Sequence, residues 1–132
     1  MKPVGVGAMA GAVVVLGLLA GCAGPPGGTE VEPGGPVAYV EERSEGGDDA
    51  TLDGTVTVAD GCLTVVERLG PTWLPVVQKP RTTWDGTTLT YNGHRYREGS
   101  RIGLGGGGSD TAAEADYVPD GCATDFAFHV AP

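Results

Sequence analysis

The sequence predicts an all-β fold, a small barrel or sandwich of five to six strands. Three observations carry the expectation. Apolar and polar residues alternate over short runs, the dipeptides Asp60-Gly61 and Asn92-Gly93 each sit between two such runs, and no long segment repeats at the helical period. Gly and Pro punctuate the chain often enough that only short extended elements fit between them.

Residues 52–58 place Leu52, Gly54, Val56 and Val58 on one face and Asp53, Thr55 and Thr57 on the other, the pattern of a half-buried strand. Asp60-Gly61 suits a two-residue type I′ turn, after which Cys62-Leu63-Thr64-Val65-Val66-Glu67 continues as the partner strand. That turn pairs Val58 with Leu63 and Val56 with Val65, and sets Thr57 opposite Thr64. Trp73-Leu74-Pro75-Val76-Val77 is extended and apolar, with Pro75 pushing it toward a sheet edge or a loop.

Asn92-Gly93 predicts a second hairpin, pairing Tyr91 with His94 and Leu89 with Tyr96 on an inward aromatic face. Thr90 then meets Arg95 and Thr88 meets Arg97 on the other face. Ile102 and Leu104 alternate as a further strand before Gly105 to Gly108 ends regular structure. The stretch 110–116 reads as a loop or one helical turn. A last strand carries Phe126, Phe128 and Val130 on one face.

The amino-terminal third reads differently. Lys2 precedes an uncharged run from Val4 to Leu19, and small residues follow, the layout of a secretory signal. Four glycines interrupt the run, and Pro and Gly rather than a charge cluster follow it, unlike a membrane-spanning helix. Leu19-Ala20-Gly21-Cys22 resembles the lipobox of bacterial lipoproteins. The resemblance implies a diacylglyceryl thioether on Cys22, cleavage before it, and a new amino terminus open to acylation by a fatty acid such as palmitate. Each buried methylene is worth about 0.8 kcal/mol, so two or three chains on one residue make a stable anchor. The protein is then extracytoplasmic and held to the cell membrane.

Assigning Cys22 to the lipid leaves Cys62 and Cys122 as a pair, the simplest accounting in an oxidising compartment and a single staple for a small domain. The domain expectation follows: 1–21 signal peptide, 22–50 lipidated cysteine and disordered tether, 51–132 small β domain. The tether is rich in Gly, Pro, Glu and Asp, and as a flexible coil spans roughly 30 Å. Within it Pro36-Val37-Ala38-Tyr39-Val40 is an apolar patch that reads first as an incidental linker stretch, with an added edge strand or a docking segment as the alternatives.

A looser resemblance covers most of the domain. The order Gly61-Cys62, Leu74-Pro75-Val76, Gly93-His94-Arg95-Tyr96, Gly105 to Gly108, Gly121-Cys122 is similar to small uncharacterised lipoproteins of high-GC Gram-positive bacteria. That group carries no assigned activity. Gly93-His94-Arg95-Tyr96 also resembles the Gly-x-x-Tyr strand of membrane-bound lysozyme inhibitors, although the serine before the glycine and the tryptophan after the motif are absent here.

The formal net charge of −9 disfavours nucleic-acid binding. The four-glycine run lacks the lysine and helix of a phosphate loop. His94 and His129, the two histidines, sit in no ligand or triad pattern. No catalytic residue, metal ligand or cofactor is expected, and the reading is a non-catalytic module for an envelope protein, glycan or small ligand. An inhibitor or accessory subunit of a secreted enzyme is the alternative. The candidate binding surface is Arg95, Arg97, Arg101, Trp73 and Trp84, the tryptophans serving either there or in the core. Lys79 and Arg81 would extend the arginines into a basic stripe.

Overall fold

The computed structural model describes residues 28–42, 49–122 and 126–132. Cys22, residues 1–21 expected as a signal peptide, and 43–48 lie outside these residues. The described chain forms two sheets. The larger contains β2 (Ala38–Val40), β3 (Ala50–Ala59), β4 (Cys62–Val66), β5 (Thr72–Gln78), β9 (Arg101–Ser109) and β10 (Phe126–Val130), in the order β10-β9-β3-β4-β5-β2. A parallel pairing of β10 with β5 closes five of these strands into a barrel, with β2 as the extra strand. The smaller sheet is antiparallel, in the order β1 (Thr29–Glu30), β6 (Thr82–Trp84), β7 (Thr88–Tyr91), β8 (His94–Arg97). A 3-10 turn, Lys79–Arg81, links the sheets, with Pro80 early in it where a missing N–H is harmless.

Both hairpins take the expected register. Val58 faces Leu63, Val56 faces Val65, Leu89 faces Tyr96 and Tyr91 faces His94. Asp60 and Gly61 have φ of 54° and 74°, and Asn92 and Gly93 have 48° and 81°. Positive φ at both central residues matches the twist of the flanking strands, and Asp-Gly and Asn-Gly reach it cheaply.

The inward residues of the barrel meet those of the smaller sheet in one core. Leu52, Val56, Leu63, Val65, Ile102 and Phe128 are buried from the barrel, and Leu89 and Tyr91 are buried in the same cluster. A second cluster covers the outside of the barrel. Leu74 and Val76 of β5, with Ala38, Val40 and Ala127, lie under Ala112, Ala115 and Val118. The Cys62–Cys122 disulfide fastens that covering segment, bridging 60 residues with 5.1 Å between the Cα atoms.

The structure corrects four expectations. Residues 28–42 are part of the folded unit rather than a tether. Val31, Val37, Ala38, Tyr39 and Val40 are all buried, and β2 pairs with β5 from Ala38 opposite Val76 to Val40 opposite Gln78. A polar composition hides this because the apolar residues are few but each finds a partner distant in sequence. Tyr117 Oη donates to the Gly35 carbonyl at 2.7 Å and accepts from the Gly34 N–H at 2.9 Å, holding the loop before β2.

Pro75 lies buried in the middle of β5 rather than at an edge. β4 pairs with β5 at Thr72 and Trp73, and β2 pairs with it from Val76 onward. β10 does run beside it, with Phe128 level with Pro75, so the gap between β4 and β2 on the opposite side is where a missing N–H is tolerated. The glycine run likewise continues β9 instead of ending it. Gly106 pairs with Ala50 and Val130, and Gly108 with Phe128. Added Cβ atoms would lie 2.0 Å from the His129 carbonyl oxygen at Gly106 and 3.0 Å from the Trp73 ring at Gly108, so close approach explains the glycines there. Finally, the inward face of the second hairpin is incomplete. Leu89 and Tyr91 are buried, Tyr96 is half-buried and His94 is exposed.

Candidate functional site

Trp84 at the end of β6 and Arg97 at the end of β8, on either side of β7, meet at one cleft. The sequence sets both sides of it by turn chemistry. After β6, the carboxylate Oδ1 of Asp85 accepts hydrogen bonds from the N–H groups of Thr87 at 2.8 Å and Thr88 at 2.6 Å, and from the Thr87 hydroxyl at 3.1 Å. This is an Asx turn, with Gly86 at φ 100° supplying the positive φ that the reversal needs. The two amide donors, foremost among its neighbours, hold the Asp85 carboxyl below its ordinary range.

On the other side, Ser100 closes the turn after β8. Its Oγ accepts from the Arg97 N–H at 2.9 Å, and its N–H donates to the Arg97 carbonyl at 2.9 Å. Gly99 N–H donates to the Val56 carbonyl and Val56 N–H to the Ser100 carbonyl, docking this turn on β3. Between the turns opens a cleft of about 290 Å³ lined by Val58, Trp84, Gly86, Thr87, Arg97 and Glu98. Val58 and Trp84 supply an apolar and aromatic wall, while Arg97 and Glu98 are exposed and supply opposite charges. Such a site suits a ligand with one apolar face and an anionic group within reach of the guanidinium.

Arg95 stands two residues before Arg97 on the same strand face, and Arg101 follows the Ser100 turn opposite Thr55. All three arginines are exposed. Trp73 is elsewhere. Its ring packs on Phe126 at 5.3 Å and on Phe128 at 6.1 Å, and both tryptophans are half-buried against the core, Trp84 with its remaining face on the cleft. The five-cation stripe is likewise divided. Lys79 lies 3.6 Å from Glu41, 4.0 Å from Glu30 and over the Tyr39 ring, and Arg81 Nη1 donates to Asn92 Oδ1 at 3.3 Å.

Sequence reasoning missed Val58, Gly86 and Thr87 as cleft residues. Asp85-Gly86-Thr87-Thr88 was the available signal, since Asx turns place Asp before residues whose amides it accepts.

His94 lies on a second open groove of about 280 Å³ with Tyr91, Asn92, Tyr96, Gly105 and Pro132 among its walls. No Asp or Glu side chain lines it. His129 is half-buried, its Nε2 3.4 Å from the Thr111 carbonyl oxygen. Among the described residues no group of three or more His, Cys, Asp and Glu is placed to hold a metal ion, and no helix is long and apolar enough to cross a membrane.

The geometry thus defines a class, a disulfide-linked β-barrel that carries a second sheet and an open aromatic and cationic cleft. No protein-family model matches the chain, and neither a curated protein nor a solved structure matches it.

Proposed function

We propose that the protein is a cell-envelope lipoprotein whose β domain is a non-catalytic binding module, acylated on Cys22 and presenting the Trp84–Arg97 cleft. One observation carries the reading. The chain has three cysteines, Cys62 and Cys122 are joined, and the remaining one completes Leu19-Ala20-Gly21-Cys22. A disulfide that closes a long loop belongs to an oxidising compartment, and that is where the leader directs the chain. What supports binding is the pairing of an apolar and aromatic wall with the exposed Arg97 guanidinium, while the Thr87 hydroxyl and the Asp85 carboxylate are engaged with each other in the turn.

Fractionation tests the anchor. The wild type partitions with membranes, and its mature amino-terminal peptide carries the mass of a diacylglyceryl cysteine. Cys22→Ser moves the protein to the soluble extracytoplasmic fraction. An unmodified Cys22 in the membrane-grown protein rules the reading out.

A further inference from the structure

The point where the chain enters the domain identifies the partner of the cleft. Gly28 packs directly on Asp85, an added Cβ lying 2.7 Å from the Asp85 N, Cα and Cβ atoms. Asp85 lies between Trp84 and Gly86, both of which line the cleft, and Thr29 pairs with Trp84. Five residues, 23–27, separate Gly28 from Cys22. Whatever their conformation, that length of chain spans no more than about 20 Å.

We propose that the Trp84–Arg97 cleft docks on the phosphate headgroup layer of the membrane that anchors the protein, an inference that rests on acylation of Cys22. A span of at most about 20 Å keeps Gly28 within that distance of the bilayer, so the face next to Gly28 is the one nearest the headgroups. Its chemistry suits that surface. Trp84 is an amphipathic ring beside the apolar Val58, the kind of side chain that settles at headgroup depth. Arg97, flanked by Arg95 and Arg101, offers exposed guanidinium groups to anionic phosphates.

The remaining described cations do not line the cleft: Lys79 pairs with two glutamates, Arg81 bonds Asn92, and Arg68 lies on the β4–β5 connection. Opposing charge at the cleft comes from Glu98 on its rim and from Asp85, whose carboxylate is turned onto the amides of Thr87 and Thr88 and also lies within the field of Arg95. The Asx turn therefore keeps a carboxylate near the bilayer engaged with the protein's own backbone.

The test uses the full lipidated protein in vesicles of phosphatidylglycerol and phosphatidylcholine with brominated acyl chains, which quench only indoles at membrane depth. The chain has two tryptophans, so Trp73→Phe isolates Trp84 and Trp84→Phe isolates Trp73. Trp84 should lose about half its emission in the anionic vesicles, and Trp73 should keep nearly all of its own. Reversing two exposed charges, Arg95→Glu with Arg97→Glu in the otherwise wild-type chain, should abolish the quenching without disturbing the fold, and so should high salt. Acylated Cys22 with unquenched Trp84 overturns the docking while leaving the anchor intact. An unmodified Cys22 removes the short tether and overturns both.

Discussion

Gln78 Nε2 donates a hydrogen bond to the main-chain carbonyl of Val130 at 3.0 Å, continuing the parallel seam of β5 and β10 beyond its last paired residues, Val76 and His129. Gln78 is only 2% exposed, so this amide is buried for its bonding rather than left at a surface. An apolar replacement strands the Val130 carbonyl away from water. Gln78→Leu should therefore lower stability by about 1–3 kcal/mol, read from urea unfolding with an unchanged m-value.

The disulfide acts on a different part of the molecule. It holds Ala112, Ala115 and Val118 over Leu74 and Val76 on the barrel's outer face. Cys62→Ala with Cys122→Ala should cost about 4 kcal/mol through the freed unfolded chain. It should also make 110–122 the first site of proteolysis, because the covering segment has no strand pairing beyond the single bridge between Tyr39 and Tyr117. Cleavage elsewhere first would show that the staple supports another region.

These contacts explain how much of the molecule the sequence discloses. Both hairpins are legible because a turn dipeptide and a two-residue alternation act over neighbouring residues, and they agree on register. The strand at Gly105 to Gly108 is not, since a glycine run looks flexible until Trp73 and His129 are known to press against it. The buried role of Tyr39 is hidden for a similar reason, its neighbours Tyr117 and Lys79 being far along the chain. At the cleft, Trp84 and Arg97 were separate candidates by residue type, and only the two turns that bring them together were missing.

Two glycines on adjacent strands should behave oppositely. A Cβ at Gly54 would lie 2.5 Å from the Val66 carbonyl oxygen, a main-chain atom unable to rotate away, whereas one at Gly103 meets nothing within 4 Å. Gly54→Ala should destabilise by about 1–3 kcal/mol or more from overpacking. Gly103→Ala should be neutral or stabilise by about 0.5–1 kcal/mol, because a strand-interior glycine gives up extra chain entropy. Thermal unfolding of both single variants separates crowding from any general demand for glycine.

The pH response should carry a mark of Asp85. Its carboxyl titrates below the ordinary value near 3.8 because the Thr87 and Thr88 amides favour its charged form. A group depressed in the folded state stabilises the protein above its unfolded value, and that contribution is lost as pH falls through the folded one. The wild type should thus lose stability below about pH 4. Asp85→Ala should be less stable than the wild type at neutral pH, and the gap should narrow on acidification through that window. A constant gap would mean that Asp85 acts through turn geometry alone.

The boundary of the folded unit gives the most demanding test, because composition and packing disagree about it. Composition places 28–42 in a tether, yet Val31, Val37, Tyr39 and Val40 are each no more than 4% exposed. Burial of four such side chains is worth about 6–12 kcal/mol, against a typical total stability of about 5–15 kcal/mol. Removal also strips β2 from β5 and takes Glu30 and Glu41 from Lys79. A chain begun at residue 51 should fail to give a cooperative unfolding transition, while one begun at 28 should fold with dispersed amide resonances. Tyr117→Phe provides a graded version. Without the hydroxyl, Gly34 N–H and Gly35 C=O lose their partner, and amide exchange across 34–40 should quicken while β3 and β9 stay protected. Uniform loss of protection across all strands would instead make 28–42 inseparable from the barrel's global unfolding.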